Sequence, residues 1–72
     1  MREQSILTKR EIEVMILIAK GEPNKAIAKQ LGISENTVEQ HLRHIYEKLN
    51  VRSRTGAALT LLANEQITEI RD

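Results

Sequence analysis

The apolar stretches of this chain are each bracketed by a residue that starts a helix and one that stops it, and this punctuation constrains the fold most. Thr8-Lys9-Arg10-Glu11 has the form of a capping box, with Leu7 and Ile12 placed as its hydrophobic staple. A first helix over about 9–20 follows, stopped by Gly21 as a left-handed residue. Its apolar positions Ile12, Val14, Met15, Ile16, Leu17, Ile18 and Ala19 cover more than one stripe, which predicts a central helix. Glu22-Pro23 breaks the chain, and Asn24 is placed to cap a short second helix, about 25–31, that ends at Gly32. Ser34 caps a third over 35–49, where Val38, Leu42, Ile45 and Leu49 form a buried stripe and Asn50-Val51 closes the end. Ser53 opens a fourth, about 54–64, weakened near its start by Gly56. No alternating run or Asn-Gly hairpin turn competes, so the expected class is all-α with four helices.

Size decides what such a fold can hold. A chain of 72 residues fits one domain spanning 1–72. A domain this small buries only about 60% of its unfolded surface, enough for one thin core and no enclosed substrate cavity. There is no cysteine, hence no disulfide, thiolate nucleophile or thiolate metal site. Ser5, Ser34 and Ser53 lie in no nucleophile motif, so an enzyme is not expected. The longest apolar run, Val14 to Ala19, is six residues against the roughly 20 that span a bilayer. Met1-Arg2-Glu3-Gln4 lacks a signal-peptide core, so a soluble, cytoplasmic location without membrane partners is expected. The net charge of +1 conceals an uneven distribution: residues 25–54 sum to +3 and residues 55–72 to −2. An anion-binding segment beside a neutral scaffold would look like this, as would ordinary solvated helix faces.

Two helices joined by Gly32-Ile33-Ser34 form a helix-turn-helix unit, a geometry that also fits any small helical bundle. The outer face of the third helix points further. With its stripe turned inward, Asn36, Glu39, Gln40, Arg43 and Glu47 fall on the opposite side. Asn and Gln can bond adenine, Arg can take guanine O6 and N7 together, and Glu can accept from the cytosine amino group. Glu39, Gln40 and Arg43 are therefore the candidate base contacts. Around that helix, Asn24 and Lys25 at the start of the second helix, with Lys48, Arg52 and Arg54 beyond the third, are candidate phosphate contacts.

Leu7-Thr8-Lys9-Arg10-Glu11, Ile18-Ala19-Lys20-Gly21, Asn24-Lys25-Ala26-Ile27-Ala28, Ile33-Ser34-Glu35-Asn36-Thr37-Val38 with His41, and Lys48-Leu49-Asn50-Val51-Arg52-Ser53-Arg54 together resemble the DNA-binding domain of the LuxR/FixJ/NarL family of bacterial transcription regulators, over about residues 7–63. The resemblance implies a four-helix fold with helices 2 and 3 as the helix-turn-helix, helix 3 in the major groove and helix 4 as dimer contact. A homodimer through helix 4 would by its two-fold symmetry demand an inverted-repeat operator in double-stranded DNA; RNA polymerase is the further partner expected, and no cofactor or small-molecule ligand is expected within this chain. Asn36, Thr37 and His41 join the phosphate set on the grounds of the resemblance. One departure stands out: after Thr37-Val38 the family usually has Lys, whereas this chain has Glu39. Glu39 either accepts from a cytosine, or bonds Arg43 four residues on, or points to solvent.

His41, His44 and Glu47 share helical spacing but lack a fourth ligand, with Lys48 adding a repelling charge, so no metal site is expected. On the fourth helix, Ala57 and Leu61 form one row and Ala58 and Leu62 the next, with Leu59 beyond. Ala58, Leu59, Leu61 and Leu62 are the candidate dimer contacts, and which row faces outward is left open by the sequence. The alternative to a DNA-binding domain is a protein-interaction module that kept the fold without the DNA, for which Glu39 and the low net charge are the support.

Overall fold

The computed structural model describes residues 7–63, which form α1 (Lys9–Ala19), α2 (Asn24–Leu31), α3 (Glu35–Leu49) and α4 (Arg54–Ala63). The all-α, four-helix expectation holds, with no strand among the described residues. The predicted end of the fourth helix at residue 64 lies outside them.

Local chemistry sets the helix ends. Thr8 and Glu11 make both halves of the capping box, the Glu11 backbone N–H donating to Thr8 Oγ1 at 3.1 Å and the Thr8 N–H to Glu11 Oε1 at 2.8 Å. Ser34 Oγ accepts from the Thr37 N–H at 3.0 Å, and Ser53 Oγ from the Gly56 N–H at 3.0 Å. Gly32 stops α2 at φ +69° and Asn50 stops α3 at φ +58°, a conformation in which glycine carries no Cβ penalty and asparagine is the usual substitute. In each case the next residue donates back over the last turn, Ile33 N–H to the Ala28 carbonyl and Val51 N–H to that of Tyr46, both at 3.0 Å. One start is corrected: α2 begins at Asn24 with Pro23 before it as N-cap, and no side chain caps that end. Proline's fixed φ suits the position, and Asn24 is drawn elsewhere.

α1 touches all three other helices, most extensively α4, while α2 packs chiefly on α3. Its predicted central place follows from burying Val14, Met15 and Ile18 with Ile12, Ile16 and Leu17 half-covered. Ile27 and Ala28 from α2, Val38, Leu42 and Ile45 from α3, and Ala57 and Leu61 from α4 complete the core, with Leu7 closing it at the staple position. Leu61 is thus only 3% exposed, which removes it from the candidate dimer contacts, because turning it outward would open the core. Leu59 and Leu62, at 60% and 70%, are the large apolar side chains exposed on α4.

Candidate nucleic-acid interface

The turn at Gly32-Ile33-Ser34 lets α3 leave α2 within three residues, and burial of Val38, Leu42 and Ile45 fixes the rotation of α3 about its own axis. Residues a half-turn away must then face solvent. Asn36, Glu39, Gln40, Arg43, His44 and Glu47 are all exposed, while Thr37 and His41 sit half-buried on the flank. The Thr37 and Ser34 hydroxyls lie 2.9 Å apart, so Thr37 is held within the cap. The ion pairs among the described residues are Arg10 with Glu13 at 3.3 Å and Lys48 with Glu11 at 2.8 Å. Glu39 and Arg43 are therefore unpaired with each other, leaving both for a ligand or for water. Among the described residues no group of three His, Cys, Asp or Glu could hold a metal ion.

The expected phosphate contacts divide into two kinds. Lys25 at the start of α2 and Arg52 between α3 and α4 are exposed, as is Asn36. Lys48 and Arg54, two further candidate phosphate contacts, also make contacts within the domain. The Lys48 ammonium meets Glu11 Oε1 at 2.8 Å, tying the last turn of α3 to the first turn of α1. Burial pushes the Glu11 carboxyl up, but the hydrogen bond from Lys48, the Thr8 N–H, the Lys48 charge and the Thr8 hydroxyl outweigh it, so its pKa lies below the ordinary value. Arg54, at the start of α4, donates from Nη1 to Asn24 Oδ1 at 2.6 Å and from Nη2 to the carbonyl of Glu22. This joins the start of α4 to the start of α2, bringing Arg54 against Asn24.

Neither tie was visible in the sequence. Glu11 is already accounted for locally as the capping-box residue, and nothing in a helical pattern marks a carboxylate with a second partner 37 residues away.

The fold and this surface define a helix-turn-helix domain that presents one polar helix face. The profile of the family described as bacterial regulatory proteins, luxR family, matches residues 5–61, and the chain belongs to that family as its DNA-binding helix-turn-helix domain. It is 50% identical over 58 residues to the nitrate/nitrite response regulator protein NarP of Escherichia coli, a match covering 81% of this chain and 27% of that protein. It is 55% identical over 49 residues to the oxygen regulatory protein NreC of Staphylococcus carnosus, covering 68% and 23%. With the transcriptional regulatory protein LiaR of Bacillus subtilis it shares 49% over 53 residues, covering 74% and 25%. The chain thus spans about a quarter of the length of these relatives.

Proposed function

We propose that residues 1–72 act as one module that binds double-stranded DNA sequence-specifically, with α3 in the major groove, and regulates transcription in the bacterial cytoplasm. The observation that carries this reading is the outer face of α3, where Glu39, Gln40 and Arg43 are exposed on a helix held by a buried stripe. Gln40 suits adenine, Arg43 suits guanine, and Glu39 suits a cytosine amino group; a carboxylate desolvated there without a donor would cost several kcal/mol. Asn24, Lys25, Arg52, Asn36, Thr37 and His41 supply phosphate contacts that set register. The names of the relatives, which are response and transcriptional regulatory proteins, support an effector role of this kind, with RNA polymerase as the downstream partner.

Selection of bound duplexes from a random pool, followed by titration of selected and random DNA over a salt series, tests the reading. Affinity is expected to fall steeply with salt, and Arg43→Ala to cost on the order of 1 to 3 kcal/mol at one position of the selected site. Glu39→Lys should tighten binding to random DNA while narrowing the gap between selected and random duplexes. Binding indifferent to salt favours the protein-interaction alternative.

Dimerisation belongs to the same proposal. Leu59 and Leu62, flanked by the half-buried Ala58, form the apolar surface of α4 left for a second copy. Two-fold symmetry then requires an inverted repeat with half-sites about one helical turn apart. Leu62→Lys is expected to leave the fold intact and abolish the dimer in sedimentation on a two-half-site duplex; protection of a single half-site by the parent chain refutes it.

A further inference from the structure

We infer that Arg54 is a positioning residue for DNA binding: its guanidinium fixes the side-chain amide of Asn24 so that Nδ2, and not Oδ1, faces the DNA backbone. The inference rests on the proposed reading of the start of α2 as a phosphate-contacting edge. A guanidinium has N–H donors and no acceptor, so the branch of the Asn24 amide that meets Nη1, at 2.6 Å, must be the oxygen. The NH2 group then occupies the other branch of the trigonal carbon. No hydrogen bond from it is made among the described residues, so it is available to an acceptor outside the domain. A phosphate oxygen only accepts, and a freely rotating amide would present the repelling carbonyl for part of the time.

The second guanidinium nitrogen binds the Glu22 carbonyl. The same side chain therefore holds the chain on both sides of Pro23, a residue with neither an N–H nor a side-chain cap to fix the entry into α2. Two parallel donors at fixed separation are what this requires, and the single ammonium of a lysine does not provide them. Arg54 is half-buried and spends a donor of each terminal nitrogen on Asn24 and Glu22, so on this inference its contribution to DNA affinity runs through Asn24 and not through its own charge.

Direct and indirect roles differ in their salt dependence. An arginine that touches a phosphate releases a counterion, and its loss flattens the salt slope by about 0.9. Loss of an oriented neutral donor lowers affinity at every salt concentration and leaves the slope alone. The test titrates the 72-residue chain with a duplex selected from a random pool and with a random duplex, for Asn24→Ala, Arg54→Ala, Arg54→Lys and the Asn24→Ala/Arg54→Ala double variant. Circular dichroism at the assay temperature establishes that each is folded. Asn24→Ala and Arg54→Ala are each expected to weaken both duplexes by roughly tenfold with an unchanged slope, and the double variant by no more than either single one. Arg54→Lys, which keeps the charge and the fold, is expected to lose the same factor. If it retains parent affinity, if Arg54→Ala flattens the slope, or if the two losses multiply, the inference is overturned while the DNA-binding reading stands. A parent chain that binds neither duplex overturns both.

Discussion

Replacing Glu11 with alanine is expected to destabilise the domain by about 3 kcal/mol, combining loss of a capping-box partner with loss of the part-buried ion pair to Lys48. Glu11 is 4% exposed and its carboxylate serves the Thr8 N–H and Lys48 together, so no solvent rearrangement replaces it. Domains of this size have roughly 0.05 to 0.15 kcal/mol of stability per residue, so such a loss is a large fraction of the total. The pair also predicts an acid response. Because the Glu11 pKa is lowered in the folded state, its stabilisation is fully present above the ordinary carboxylate value of 4.5 and is lost as the pH falls through the folded value. Glu11→Gln keeps an acceptor for the Thr8 N–H and removes the titrating charge. Urea unfolding at pH 7 and pH 3 should show the parent losing more stability on acidification than Glu11→Gln, and equal losses would assign the acid sensitivity to other carboxylates.

Ile45→Ala is expected to cost about 2 to 5 kcal/mol, a large fraction of the stability of a domain of this size. Ile45 is 0% exposed and lies in the core that all four helices share. It also belongs to the stripe that fixes which face of α3 is turned out. Alone, a helix of 15 residues is marginal in water, so removing its anchor removes the recognition surface along with the stability. Leu62→Ala is the matched control: at 70% exposure its truncation should change the monomer's stability by no more than about 0.5 kcal/mol. An unfolding free energy for Ile45→Ala, from urea titration, within that margin of the parent would show that the core repacks around the loss.

The helices and most of their ends were legible because the signals are local. Thr8 with Glu11, Ser34 with Thr37 and Ser53 with Gly56 each act across three residues, and Gly32 and Asn50 act through their own backbone angles. The exception, the start of α2, failed for a non-local reason: Asn24 resembles an N-cap by type, but Arg54, 30 residues away, holds its oxygen. The outer face of α3 was equally readable, since one clean stripe at steps of four and three leaves a single choice of which side is buried.

What the sequence determined by itself is therefore four helices, the short turn between α2 and α3, and the polar face that α3 presents, all consequences of periodicity and of contacts within one turn. The tertiary structure decided the rest. On α4 the Ala57–Leu61 and Ala58–Leu62 rows are nearly equal in apolar character, and only packing against α1 settled that Leu61 goes in and Leu62 stays out. The Glu11–Lys48 and Arg54–Asn24 ties likewise join residues 37 and 30 positions apart. A charged side chain at a polar helix position carries no mark of its partner in the sequence, because the pairing depends on how far each helix is rotated toward its neighbours, and the packed core sets that rotation.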